Sequence, residues 1–597
     1  MKRMMSLLLL SILLLATFAS GQSPAQTHIE RVEKGLLPNV LIKGEPGWSI
    51  ADRMKFYKVP GVSIAVIQDF KLAWAKSYGV KDVETNEPIT ETTLFQAGSI
   101  SKSVAAMVAM KKVEQGMITL DEDINNKLTS WKLPENEFTA KKKVTLFNLL
   151  SHSAGLTVHG FPGYDVGAKL PTLPQVLDGA VPANTAAVRV NVQPGTIFRY
   201  SGGGTTIAQL AIMDIEKKPY PQIAKETVLD PLNMSNSSYS QPLPDNLRKM
   251  AASGHRPGGR PVDGKIHIYP EMAAAGLWTT PADLAKFAIE VQLSLAGRSN
   301  KVLTKETATR MVTPFLGQAG LGFFIEQRGK ASYFGHGGAD EGFRAQLLVH
   351  RDKGYGAAVM VNSDNGQIME EIIRAIANEY QWEDFLPQPY EVVSLDPKRL
   401  ESYTGRFLVN PDRILTVTAE GGRLYGQPTA EPRAELFAVG EDAFVRKDAD
   451  LHYSFVRGAS GKVERLKIRT PQATFEAPQV PAERLVPSEL LIAGKIPEAA
   501  DAYRKIKQNT PANVAVREER LNGLGYSLLG EKKYAEAIAL FKLNVEFYPA
   551  SSNVYDSLGE AYMLGGEKEL ARQNYRKSLE LDPNNRNAVE MLKKLEH

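Results

Sequence analysis

The chain has 597 residues, 43% apolar and 23% charged, with a formal net charge of +4, an ordinary globular composition with room for three or four domains. Loss of Lys2 and Arg3 with the first 21 residues would lower +4 to +2, a balance that points to no nucleic acid or other polyanionic partner. The absence of cysteine excludes a disulfide framework, a thiol nucleophile, thiolate metal sites and a lipidated cysteine anchor.

Residues 1–21 read as a secretory signal peptide: Lys2 and Arg3, an apolar run from Leu7 to Phe18 broken only by Ser11 and Thr17, then Ala19-Ser20-Gly21 before Gln22. The run is short for a membrane span. The expected location is the periplasm or the exterior, with no membrane span after cleavage. From Gly61 to Val80, the alternation of Val62, Ile64 and Val66, then Leu72 and Trp74, predicts two strands joined tightly at Asp69-Phe70-Lys71. Next comes Phe95-Gln96-Ala97-Gly98-Ser99-Ile100-Ser101-Lys102, the only place where lysine follows serine by three residues. It opens a buried helix that ends near Gly116, with Lys111 and Lys112 complementing the helix dipole.

A second helical signal, Thr145 to Leu150, runs into Ser151-His152-Ser153-Ala154-Gly155-Leu156. Five prolines, Pro162, Pro171, Pro174, Pro182 and Pro194, make the following segment a long irregular loop of the kind that forms lids or binding loops. Pro194-Gly195-Thr196-Ile197-Phe198-Arg199-Tyr200-Ser201 then enters Gly202–Gly204 and an apolar helix from Thr206 to Ile215. The glycines of Phe334-Gly335-His336-Gly337-Gly338-Ala339 let a backbone or a substrate come close. A hairpin follows, Gly342 to Val349 and Tyr355 to Val361, turning at Asp352-Lys353-Gly354. A helix from Gln367 to Tyr380 closes a first domain of residues 45–386.

Pro387, Pro389 and Pro397 mark a linker. Short alternating segments such as Leu415–Thr418 and Tyr453–Val456 then predict a small antiparallel sheet or partial barrel over 395–477. In the tail, 488–597, Gly525 and Gly559, Ala537 and Ala571, Phe541 and Tyr575, and Pro549 and Pro583 are each 34 residues apart, the tetratricopeptide period. A half-copy, Ala499, Tyr503 and Pro511, lies four residues out of phase and is expected to cap the two copies.

On a helix, residues three apart share a face, which sets the Lys102 amine beside the Ser99 hydroxyl. Serine needs a base, and lysine is a base only once its pKa falls; about 4 kcal/mol in favour of the neutral amine is required, from burial or nearby positive charge. Tyr200 is a second titratable group able to relay the proton. The spacing alone favours the plainer reading, in which Ser99 caps a helix and Lys102 is a solvated surface residue. The histidines, including His152, His159, His255 and His267, show no ligand spacing, so no metal is expected. His152 reads as structural, and Phe161 and Tyr164 as pocket lining or loop packing.

Taken together, the Ser99 run, Leu149 to Leu156, Pro194 to Ser201 and His336-Gly337-Gly338 resemble the serine beta-lactamase and penicillin-binding-protein-like hydrolases. The nearest branch is the class C, D-alanyl-D-alanine carboxypeptidase and esterase group. The resemblance implies an α/β sandwich, an antiparallel sheet flanked by helices, then a small all-β lipocalin-like domain and an all-α tetratricopeptide array. It implies Ser99 as acylated nucleophile, Lys102 as its base and Tyr200 as proton relay. His336, Gly337 and Gly338 would form the substrate-binding strand, with the Ser99 and Ala339 amides as oxyanion hole. No cofactor is implied.

Two departures matter. Gly202 stands where the family has an asparagine that holds an amide carbonyl, and His336 stands for a lysine that pairs with a substrate carboxylate. Ester or unusual peptide hydrolysis gains over beta-lactamase activity. Ser363-Asp364-Asn365 spells a class A triplet but follows His336 in the chain, and reads as a turn. The expected function is a secreted serine hydrolase of esters, D-amino-acid peptides or beta-lactams, with a small-molecule or peptide substrate and a protein partner for the repeats. The alternative is a catalytically weak scaffold that docks a partner.

Overall fold

The computed structural model describes residues 24–583 and 585–596, so the expected signal peptide lies outside the described residues. The chain divides into two compact units, one running to Leu37 and from Pro46 to Pro387, the other formed by Pro38–Glu45 and the chain from Gln388 onward.

The first unit is built on a seven-stranded sheet. Strands β1 (Gly61–Gln68) and β2 (Lys71–Asp82) form the hairpin expected from their alternation. Asp69 and Phe70 between them have φ of +52° and +62°, the left-handed backbone that both centre positions of a type I′ turn need. With β3 (Glu87–Pro88), β4 (Phe324–Arg328), β5 (Ala331–Asp340), β6 (Phe343–His350) and β7 (Gly356–Val361), the order is β3-β2-β1-β7-β6-β5-β4. Every pairing is antiparallel.

Helices cover both faces: α1 (Pro24–Glu33), α2 (Ile50–Tyr57), α3 (Ser101–Glu114), α4 (Leu146–Leu150), α5 (Gly202–Glu216), α6 (Met272–Ala275), α7 (Pro281–Leu295) and α8 (Gln367–Glu379). Val62, Ile64 and Val66 of β1 join a core with Ile29, Ile50 and Ile372 from α1, α2 and α8. The alternate residues Ala65 and Ile67 join the larger core with α3, α5 and α7. A strand buried on both faces has little need of a polar side, which is why β1 is apolar almost throughout.

Two boundaries differ from the sequence reading. Helix α3 begins at Ser101, and Ser99 sits in a single 3₁₀ turn, Gly98–Ile100, ahead of it. Helix α5 takes in the glycine triplet, because the Ser201 hydroxyl accepts the Gly204 N–H at 3.1 Å and caps the helix four residues before its apolar run. The proline-rich segment is irregular as expected, apart from a two-residue bridge at Tyr164–Asp165 and the turn of helix Leu173–Asp178.

In the second unit, β8 (Gly405–Asn410), β9 (Arg413–Glu420), β10 (Arg423–Pro428), β11 (Ala434–Ala438), β12 (Ala443–Val445), β13 (His452–Arg457), β14 (Val463–Arg469) and β15 (Thr474–Val480) close into a barrel. Closure, beyond the partial barrel read from the sequence, comes from Arg406 and Phe407 pairing with Val480 and Gln479. It leaves no open sheet edge. Phe407, Phe444, Phe455 and Tyr403 fill the interior.

Helices α9 (Pro487–Ile492), α10 (Ile496–Asn509), α11 (Glu518–Gly530), α12 (Tyr534–Phe547), α13 (Ser552–Leu564), α14 (Lys568–Leu581) and α15 (Arg586–Glu596) form the tail. The 34-residue arithmetic has a direct packing cause. A Cβ on Gly525 would meet the Phe541 ring at 2.5 Å, and one on Gly559 the Tyr575 ring at 3.0 Å. Tyr503 of the upstream half-copy donates its hydroxyl to Asp412 of the barrel at 2.9 Å, and the Ser488 N–H donates to the same carboxylate at 2.7 Å. Among the described residues, no helix is long and apolar enough to cross a membrane.

Candidate active site

Strand β5 and the turn before α3 meet with almost no space between them. Gly98 has φ of +51°, and a Cβ there would lie 2.4 Å from the Ala339 nitrogen; a Cβ on Gly338 would lie 2.0 Å from the Ala97 carbonyl oxygen. Only residues without side chains permit this approach. It brings Ser99 and Ala339 to the wall of one cavity of about 550 Å³, which Tyr200, His336, Gly337 and Gly338 also line.

Lys102 lies beneath that wall, 4% exposed. Its Nζ donates to the Ser99 Oγ at 3.0 Å and to the Ala274 carbonyl of α6 at 2.6 Å. The two acceptors fix the amine against the hydroxyl. The ring of Tyr200 has its centroid 5.1 Å from the same Nζ, and three imidazoles surround it: His152 at 4.3 Å, His159 at 4.7 Å and His336 at 6.1 Å between centroids.

His152 is a support, as read from the sequence. It is buried, and its Nδ1 accepts the Ser201 N–H at 3.3 Å. Burial, reinforced by the Lys102 charge, holds it well below the ordinary imidazole pKa. His336 is also buried; its Nδ1 donates to the Gly337 carbonyl at 2.5 Å, which leaves Nε2 as an acceptor with no protein partner among the described residues. Burial first, then the Lys102 charge, lower its pKa to about 4. His336 is therefore a neutral imidazole at neutral pH.

Gly202 is occupied from outside. A Cβ there would meet the Phe161 ring at 3.0 Å and the His159 carbonyl oxygen at 3.1 Å, and the Gly202 N–H donates to that carbonyl at 2.9 Å. The proline-rich loop thus fills the space that a side chain at this position would take.

Several residues at the site were not singled out by the sequence. Phe198, Phe324, Gln346 and Met369 line the cavity beside His159. Phe198 lies inside the Tyr200 motif, whereas Phe324, Gln346 and Met369 reach the site only through strand order and the placing of α8. Two acids of this unit are buried as well. Glu271, at the start of α6, has both carboxylate oxygens unpartnered among the described residues, and burial raises its pKa to about 7. Asp340, next to Ala339, is pushed well above the carboxylate range by burial, against the pull of Lys102 and Arg344. Asp364 of the class A-like triplet accepts the Gly342 N–H at 2.9 Å and pairs with Arg344 at 2.8 Å, and so belongs to a turn. No group of three His, Cys, Asp or Glu residues among the described residues is placed to hold a metal.

The beta-lactamase family profile matches residues 49–381, more than half of the chain. The chain belongs to the beta-lactamase family. Beyond that domain, a domain of unknown function, DUF3471, matches residues 390–483, and a tetratricopeptide repeat matches 552–585. Protein flp of Staphylococcus aureus (strain MRSA252) is 23% identical over 342 residues, 54% of this chain and 64% of that protein. A beta-lactamase of Psychrobacter immobilis is 26% identical over 238 residues, 39% of this chain and 54% of that enzyme. The chain thus spans less than two thirds of the length of these curated relatives. The octameric penicillin-binding protein homologue from Pyrococcus abyssi shares the fold with a TM-score of 0.51 at 24% identity, over 72% of this chain and 98% of that one.

Proposed function

We propose that the protein is a secreted or periplasmic hydrolase that forms an acyl-enzyme on Ser99 and prefers esters, or other substrates without a carboxylate beside the scissile bond, to penicillins. The observation that carries this is His336: a lysine in that place offers a permanent charge to a substrate carboxylate, whereas a buried neutral imidazole offers only the lone pair of Nε2. The filled space at Gly202 supports the same reading, since no side chain there can hold an amide.

In this reading the Ser99 Oγ attacks the carbonyl while its proton passes to the Lys102 Nζ. The oxyanion forms between the Ser99 and Ala339 amides, fixed dipoles that need not reorganise as charge develops. Collapse of the tetrahedral adduct breaks the ester bond, and the departing alkoxide takes a proton through Tyr200. Water then attacks the acyl-serine, its proton passing through Tyr200 to Lys102; collapse of the adduct breaks the acyl–Oγ bond, and the Ser99 Oγ takes the proton back from Lys102. The repeats serve to dock a peptide or protein; Tyr526 and Leu564, 38% and 47% exposed, offer apolar surface for it.

A panel of p-nitrophenyl esters, D-amino-acid peptides and nitrocefin, with wild type and Ser99→Ala, tests the reading. Esters should give the highest kcat/KM, and Ser99→Ala should lose turnover of all three classes. A preference for nitrocefin or for carboxylate-terminated peptides would overturn it, as would equal rates for the two proteins.

A further inference from the structure

The two donors of the proposed oxyanion hole are not held alike. Ala339 lies within β5, paired with Arg344 of β6, so the sheet sets the direction of its amide. Ser99 lies in the 3₁₀ turn Gly98–Ile100 ahead of α3, a turn too short for a hydrogen-bond ladder of its own. Its donor belongs to the Gly98–Ser99 peptide group. That group is trans and planar, so its carbonyl points opposite to its N–H. Whatever holds the Gly98 carbonyl therefore also aims the Ser99 N–H.

Ser101 holds it. The Ser101 Oγ donates to the Gly98 carbonyl, three residues back, at 2.6 Å, a local reach that serine makes readily. The Leu277 N–H donates to the same Oγ at 3.0 Å. A backbone N–H can only donate and a carbonyl can only accept, so these two partners fix where the Ser101 proton lies. The Ser101 carbonyl in turn accepts the Tyr239 hydroxyl at 2.7 Å. Ser101 is fully buried, and bulk water does not compete for these partners. Leu277 closes the frame: its carbonyl accepts the Ala97 N–H at 2.8 Å, so its two polar backbone atoms grip the chain on either side of Gly98 and Ser99. Leu277 follows α6 by two residues, and α6 supplies the Ala274 carbonyl that holds the Lys102 Nζ. The Lys102 amine and the Ser99 amide are thus both anchored to residues 274–277. A hydrogen bond donated to a carbonyl also polarises its peptide group and makes the N–H a stronger donor.

We propose that Ser101 is a positioning residue for catalysis: its hydroxyl, set between the Leu277 N–H and the Gly98 carbonyl, aims the Ser99 amide at the oxyanion. This rests on the acyl-enzyme reading, in which the Ser99 amide meets the developing charge. Losing an oxyanion donor costs about 10²–10³-fold in kcat, and losing only its brace should cost about 10–100-fold in kcat/KM. Full-length Ser101→Ala and the equally shaped pair Ser101→Thr and Ser101→Val are compared with wild type, each checked for folding by circular dichroism. The readouts are kcat/KM for p-nitrophenyl butyrate and inhibition constants for phenylboronic acid and p-nitrophenyl butyl ether. Phenylboronic acid takes the Ser99 Oγ as a fourth ligand on boron while the hydroxyl proton passes to Lys102, giving a tetrahedral anion with one oxygen in the hole. The ether has no carbonyl and reports ground-state binding alone.

Ser101→Ala should lower kcat/KM and weaken phenylboronic acid by the same factor while leaving the ether unchanged, the pattern of an interaction made only in the transition state. Ser101→Thr, which keeps the hydroxyl, should exceed Ser101→Val in kcat/KM by about tenfold or more. Folded Ser101→Ala with kcat/KM within about threefold of wild type would overturn the brace, as would a fall in kcat/KM without weaker phenylboronic acid binding. Ser101→Thr no better than Ser101→Val would overturn it too, and that comparison decides the matter if Ser101→Ala does not fold. Wild type that neither hydrolyses the ester nor binds phenylboronic acid would instead overturn the acyl-enzyme reading, and the brace with it.

Discussion

The Lys102 Nζ lies 3.0 Å from the Ser99 Oγ and is held there by the Ala274 carbonyl at 2.6 Å. The amine thus stands within hydrogen-bond reach of the hydroxyl, the placement that proton transfer from serine needs. Lys102→Met should lower kcat for p-nitrophenyl butyrate by about 10²–10⁴-fold, the range of a lost general base. Circular dichroism should show the fold unchanged, and a loss below tenfold would remove Lys102 from the chemistry.

Gly202 and Phe161 give a second prediction. Gly202→Asn alone should not create beta-lactamase activity, because its Cβ meets the Phe161 ring and the His159 carbonyl. Overpacking should cost about 1–3 kcal/mol, read as a lower midpoint in urea. Gly202→Asn/Phe161→Ala should recover part of that midpoint, and nitrocefin hydrolysis should be measurable only in the double variant.

Glu271 sets a pH dependence. Its pKa in the folded protein is raised to about 7 by burial, above the unfolded value of about 4.3. Such a group supports the fold fully below the unfolded pKa, and the support is lost as pH rises towards 7. Glu271→Gln should therefore match wild-type stability near pH 4 and exceed it above pH 7, by up to about 3 kcal/mol. Denaturation midpoints at pH 4, 6 and 8 check the sign.

His336 runs the other way. A histidine depressed to about 4 contributes stability that is present above the unfolded pKa of about 6.5 and is lost as pH falls from there through 4. His336→Gln should flatten the acid limb of the stability profile between pH 6.5 and 4. Ester turnover by wild type should show no ionisation near 6.5 from this residue.

In the second unit, Asp412 accepts hydrogen bonds from the Ser488 N–H and the Tyr503 hydroxyl while fully buried. Asp412→Ala strands both donors, at a cost of about 1–3 kcal/mol each. Limited proteolysis should then cut near 485–495 sooner than in wild type, with ester turnover unaltered.

The sequence carried much of this arrangement, and particular residues show why. Ser99 and Lys102 are local, so their spacing predicts their contact, and Gly525 and Gly559 repeat because aromatic rings press on them. Tyr200 and His336 were found through motif resemblance. Phe324, Gln346 and Met369 escaped notice because strand order alone brings them to Ser99. The Ala274 carbonyl is backbone and leaves no mark in composition or spacing. In the sequence Gly202 reads as a missing asparagine; that Phe161 packs against it depends on the path of a loop with no periodicity.

Covalent labelling tests Ser99 as the nucleophile. Intact protein treated with a fluorophosphonate probe, digested and analysed by mass spectrometry, should carry one adduct on the peptide containing Ser99, absent in Ser99→Ala. Folded wild-type protein with no adduct on that peptide, or with the adduct on another serine while ester turnover is lost, would contradict it.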